Sequence, residues 1–201
     1  MLGKNGWMEI PTSNTSDFHD CIIFDGKIYA INSRAELWVS NIETPKEMVN
    51  LGLKRLRLKK QSKLYLVKMD NDDLLMIERR FNIEFLVKYW NYFERDYETV
   101  GFNLFKMDSS KEKLRWIKVN NLDDYCVFLG LNTSICYRGS LNGNHIYYSD
   151  DQTKRHVYDF VGGHDFGVYD IANESCRRLL DDQRVITNFV WPPPVWVTLK
   201  N

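Results

Sequence analysis

Short apolar runs separated by polar turn residues dominate this chain. Cys21-Ile-Ile-Phe24 and Lys27-Ile-Tyr-Ala-Ile31 flank the dipeptide Asp25-Gly26. Asp-Gly between two such runs predicts a β-hairpin, because a type I′ turn needs positive φ at both central residues. Leu64-Tyr-Leu-Val67 and Leu74-Leu-Met-Ile77 flank the polar Asp70-Asn-Asp-Asp73 and predict a second hairpin. Both of its arms are continuously apolar, the pattern of strands buried on two faces. Residues 102–107 lead through a polar stretch to residues 114–119, a third pair. Residues 145–148 and 167–171 make a fourth, and the turn at 172–175 sends the chain into residues 176–180. The segment from Ile83 to Tyr97 fits neither the helical nor the strand period cleanly. Its β-branched and aromatic content reads as one strand. Strands spread evenly between turn signals predict an all-β fold.

A weak internal repeat accompanies the strands. Trp7-Met-Glu-Ile10 and Trp116-Ile-Lys-Val119 share a Trp-x-x-aliphatic core, and each precedes a Gly-containing turn before a Tyr-bearing strand. Four strands per repeat of about 40–50 residues is the arrangement of propeller blades, so the chain has length for roughly four. A sandwich or an open barrel is the rival.

The 201 residues carry 27 Lys plus Arg against 27 Asp plus Glu, with 44% hydrophobic residues. That balance excludes a mostly disordered chain and argues against a dedicated polyanion binder. The N-terminus has no apolar run of a secretory signal, and no window approaches a membrane span. Cys21, Cys126, Cys136 and Cys176 form no C-x-x-C pair and border apolar runs, as expected of buried, reduced thiols in an intracellular protein of the cytoplasm or nucleus.

Several segments together resemble a known family. They are Asp25-Gly-Lys-Ile-Tyr-Ala30, Tyr65-Leu-Val67 with Leu74-Leu-Met-Ile77, Gly101-Phe-Asn-Leu-Phe-Lys-Met-Asp108, Trp116-Ile-Lys-Val119, Val127-Phe-Leu-Gly130, Asn144-His-Ile-Tyr-Tyr-Ser-Asp-Asp151, Gly162-Gly-His-Asp-Phe-Gly-Val-Tyr-Asp170 and Pro194-Val-Trp196. Their order and spacing resemble the KIB-type β-propeller domain attached to many plant F-box proteins. The resemblance implies a partial or small β-propeller of four-stranded antiparallel blades, one domain over residues 1–201. It also implies the target-recognition part of an SCF-type ubiquitin ligase. In that family an N-terminal F-box docks on a Skp-like adaptor. Here Trp7 is expected to open a blade strand already, with no F-box before it and the propeller N-terminally incomplete. Adaptor docking is therefore expected only where the full product supplies an F-box.

Catalytic chemistry is sparse. No nucleophile-elbow motif occurs. His156 and His164 lie near Asp159 and Asp165 but lack the paired spacing of a zinc site, and His145 reads as a hydrogen-bonded structural histidine. Asp72-Asp73, Asp123-Asp124, Asp150-Asp151 and Asp181-Asp182 read as turn residues whose carboxylates bind nearby backbone N–H groups. Gly162-Gly163 lacks the Lys-Ser/Thr of a phosphate loop. No catalytic residue, cofactor or metal is expected.

Two groups stand out as candidate contact residues. Lys54, Arg55, Arg57, Lys59 and Lys60 form a basic run, read as a solvated connection or lysine-defended edge and, alternatively, as an import signal or acidic-partner patch. Tyr92, Phe93, Arg95 and Tyr97 are candidate exposed anchors for a protein partner, since Tyr and Arg dominate interface hot spots. The expected function is non-enzymatic protein binding, with no membrane and no nucleic acid as partner. An F-box-less decoy and a propeller-type hydrolase are the alternatives.

Overall fold

The computed structural model describes residues 9–12, 17–45, 47–54, 56–70, 72–88, 92–110, 113–139, 141–151, 165–179 and 196; for 84–88 and 92–96 it describes the backbone alone. The strands are β1 (Phe18–Phe24), β2 (Lys27–Asn32), β3 (Leu37–Asn41), β4 (Val49–Asn50), β5 (Ser62–Lys68), β6 (Leu74–Lys88), β7 (Tyr92–Asp108), β8 (Arg115–Val119), β9 (Tyr125–Leu129), β10 (Ile135–Arg138), β11 (His145–Tyr148), β12 (Gly167–Asp170) and β13 (Ser175–Arg178). Among the described residues there is no helix.

They form three sheets. Two are four-stranded antiparallel meanders, β1-β2-β3-β4 and β5-β6-β7-β8, as blades should be. The third has five strands in the order β10-β9-β11-β12-β13, and its β9–β11 pair is parallel. The fold is therefore all-β and propeller-like, with three sheets among the described residues, one of them mixed. Among the described residues these three do not close into a ring.

Local chemistry explains the elements. Asp25 and Gly26 both adopt positive φ, 46° and 66°, so the β1–β2 hairpin turns as its Asp-Gly dictates. In β5, Leu64 and Leu66 pack on one side while Tyr65 and Val67 pack on the other. In β6, Leu74 and Met76 oppose Leu75 and Ile77 in the same way. The middle sheet is thus buried on both faces, which accounts for its uninterrupted apolar arms. Its first face meets Ile22, Phe24, Tyr29, Ile31 and Leu37 of the first sheet. Its second face meets Val127, Leu129, Ile146, Tyr148 and Tyr169 of the third. Burying each such side chain contributes about 1.5–3 kcal/mol.

Several expectations need correction. Residues 83–97 are not one strand but the end of β6 and the start of β7, with Lys88 paired to Tyr92. Glu9 and Ile10 lie in no strand, and Trp7 falls outside the described residues. All four cysteines are free, but only Cys126 is fully buried, while Cys21 and Cys176 are exposed. His145 behaves as expected, its Nδ1 lying 2.6 Å from the Gly143 carbonyl. His156, His164, Asp181, Asp182 and the Gly162-Gly163 pair lie outside the described residues.

Candidate functional site

The seam between the second and third sheets holds a charged cluster that sequence reasoning missed. Arg79 follows Ile77 by two residues on β6 and so shares its face, toward the third sheet. It has no solvent exposure. Its Nε donates to Thr99 Oγ1 at 2.8 Å, and its two terminal nitrogens donate to the Ser149 carbonyl at 2.8 Å and Asp165 Oδ2 at 3.0 Å. Asp151 lies 3.4 Å away. The guanidinium also stacks 4.6 Å from the centre of the Tyr148 ring. Burial alone would lower the Arg79 pKa, but Tyr65, Asp165 and Asp151 outweigh it and hold the group above its ordinary value.

The acids around it are equally enclosed. Asp151 accepts from Lys63 Nζ at 2.7 Å and from the Tyr65 hydroxyl at 2.8 Å. Asp165 accepts from the Thr99 hydroxyl at 2.7 Å. Asp150 takes the Tyr97 hydroxyl on both oxygens, 2.6 Å each. Burial, then Asp150, pushes the Tyr97 pKa upward, so its proton stays in place. Asp150-Asp151 is therefore no surface turn, contrary to expectation. Buried acids must find donors, and these come from strands more than fifty residues away in sequence. The carboxylates are committed to Arg79, Lys63, Tyr65 and Tyr97, which makes the cluster a clamp between sheets. No group of ligands suited to a metal occurs among the described residues. One signal could have found it: Glu78-Arg79-Arg80 places three charges directly after the apolar run Leu74-Leu-Met-Ile77.

Beyond the clamp, β6 and β7 leave the sheet. Pairing of β5 with β6 ends at Ser62 and Arg80, and pairing of β7 with β8 ends at Leu104 and Val119. From Phe81↔Thr99 to Lys88↔Tyr92 the two strands pair with each other, and among the described residues only the Phe81 N–H, which donates to the Gln61 carbonyl at 3.0 Å, bonds back to the chain before β5. At a rise of about 3.3 Å per residue this ribbon extends roughly 25 Å. Its root carries a bulge between Arg80 and Phe81, where Val100 is the extra residue. Gly101 there has φ of 148°, and an added Cβ would collide with the Arg80 guanidinium.

The candidate anchors fall on this ribbon. Register sets Phe93 opposite Val87, Arg95 opposite Phe85 and Tyr97 opposite Ile83, on one face. Tyr92 pairs with Lys88 on the other, with Glu94 and Asp96. Tyr97 itself is not the exposed anchor expected of it. It is buried at the root, held by Asp150 and by an edge-to-face contact with Phe81 at 6.3 Å. In the basic run, Lys54, Arg57, Lys59 and Lys60 are exposed on the connection between β4 and β5, outside any strand, and Arg55 lies outside the described residues.

Four-stranded antiparallel meanders packed face to face are the units of a propeller-type protein. The chain belongs to the KIB1-4 beta-propeller family, whose sequence model matches residues 1–170. It is 26% identical over 189 residues to an Arabidopsis thaliana protein named "putative F-box protein", covering 88% of this chain and 48% of that one. The chain thus spans about half the length of that curated relative. No solved structure matches it. The family is linked to plant F-box proteins, which points to protein partners.

Proposed function

We propose that this chain is a protein-binding module in which the sheets are the frame and the β6–β7 ribbon carries the contact. In a product that also holds an F-box, it would present a target protein to an SCF-type ubiquitin ligase in the cytoplasm or nucleus. The ribbon is the supporting observation. Among the described residues the ribbon pairs with no third strand, an arrangement marginal in water, and register puts Val87, Phe93 and Phe85 on one face together with Arg95. Such a face is suited to a partner surface, with aromatic and Arg anchors at its end. A hydrolase reading has less support, because the converging acids are spent on internal cations and hydroxyls.

The test is target capture by the purified chain from plant extract, compared with a Tyr92→Ala, Phe93→Ala, Arg95→Ala variant of unchanged thermal stability. Specific binding lost in the variant supports the reading. Capture unaffected by the triple change refutes the ribbon as the contact. Capture of a target without a Skp-like adaptor, from a product shown to include an F-box, would count against the ligase role.

A further inference from the structure

Between β4 and β5 the chain crosses from the first sheet to the second as a strap, residues 51–61. Its two sides differ. Leu53, Leu56 and Leu58 pack into the apolar seam between those sheets, whereas Lys54, Arg57, Lys59 and Lys60 face solvent. The main chain is pinned as well. Gly52 N–H donates to Asn50 Oδ1 at 2.7 Å, Lys59 N–H to Glu78 Oε1 at 2.8 Å, and the Ser62 hydroxyl to the Lys59 carbonyl at 2.9 Å.

The cations on this strap differ from others on the surface in their clustering: Lys27, Arg34, Lys118 and Arg177 are also exposed without an ion pair to any described carboxylate, but no run of them compares with the strap's. Lys68, Lys106, Arg115, Arg138 and Arg178 each pair with a nearby carboxylate. Lys54, Arg57, Lys59 and Lys60 form no ion pair with any described carboxylate. Residues 54–60 carry five cations that repel one another, and hydrogen bonds nevertheless hold the described backbone of this stretch in place.

We propose that this strap is a docking surface for an extended, Asp/Glu-rich segment of a partner protein. Arg57 and Lys59 alternate with the inward Leu56 and Leu58, the two-residue period of an extended chain, whose same-side residues repeat at about 6.6–6.8 Å and so suit carboxylates two residues apart on an extended partner. Such complementarity steers encounter and fixes register. Nucleic acid fits less well. Single-strand binding interleaves aromatics with cations, but the nearest aromatic in sequence, Tyr65, is buried in the core. An import signal would have to leave the surface to be read, and the three leucines hold it down. The proposal does not rest on the ribbon or on any ligase role.

The experiment is fluorescence anisotropy of the full chain with a short dye-labelled Glu-rich peptide, a Gln-rich peptide and a duplex DNA. The expected result is binding of the Glu-rich peptide alone, weakening as salt rises. Combined Lys54→Glu, Arg57→Glu, Lys59→Glu and Lys60→Glu changes should weaken it by about tenfold or more. Lys27→Glu, an exposed charge reversal elsewhere, should leave it unchanged. Should the Glu variant fail to fold, the Gln variant at the same positions should lose most of the binding. Affinity within about twofold of wild type in the folded variants overturns the proposal. So does tighter binding of DNA, or no binding of the Glu-rich peptide at low salt.

Discussion

Arg79→Met removes the cation at the clamp while keeping an unbranched apolar side chain on β6. Arg79 is fully buried and bonds Thr99, Ser149 and Asp165, with Asp151 within ion-pair distance. Without it, Asp165 keeps Thr99, and Asp151 keeps Lys63 and Tyr65. The charge of Asp165 would then be buried with no cation described at its side. Removing one partner of a buried pair costs about 3–5 kcal/mol. Against a typical total of about 5–15 kcal/mol, that is a large share. At about 2–4 °C per kcal/mol for a chain of this size, Tm should fall by roughly 6–20 °C. Urea unfolding followed by tryptophan fluorescence reads the loss directly, and the wild-type m value should be retained. Arg79→Met combined with Asp165→Asn should recover part of it, because the stranded charge is gone. A loss below about 1 kcal/mol for Arg79→Met alone would refute the clamp as a stabilising contact.

Tyr97→Phe removes the short hydroxyl hydrogen bonds to Asp150 and should cost about 1.5–3 kcal/mol by the same urea assay. Burial raises Asp20 from an ordinary value of 3.8 to about 6, even though it accepts from the Leu66 and Cys21 amides. A raised carboxylate contributes stability that is fully present below about 4 and lost as pH rises through about 6. Asp20→Asn, which keeps an acceptor for Leu66, should therefore raise stability at pH above about 7 by up to about 2 kcal/mol and flatten the pH profile between those limits. Gly101→Val meets both the positive φ and the Arg80 guanidinium, and should cost about 1–3 kcal/mol while raising hydrogen exchange along the ribbon.

Features carried by neighbouring residues were legible, and those carried by distant partners were not. Asp25-Gly26 announced its hairpin because the turn conformation depends on those two residues alone. The apolar runs of β5 and β6 announced two-sided burial because every position there meets a sheet. The β6–β7 reversal passed unseen: between Lys88 and Tyr92 the sequence is Tyr-Trp-Asn, with neither Gly nor Pro to mark a turn. Asp150-Asp151 looked like a turn because the groups that make its burial tolerable, Lys63, Tyr65, Arg79 and Tyr97, are remote in sequence. The parallel β9–β11 pair was equally hidden, since the residues joining its strands do not encode which edge is chosen.

The bulge at the ribbon's root shifts the parity of one strand. Below it, even-numbered Phe102 and Leu104 of β7 join the core shared with the third sheet; above it, odd-numbered Thr99 and Tyr97 take over that side. Were the offset ironed out, Glu98 and Asp96 would swing toward Asp165 and Asp150, where like charges repel. One extra residue thus uncouples the patterning of the arm from that of the blade, leaving the arm free to diverge while the blade keeps its own alternation.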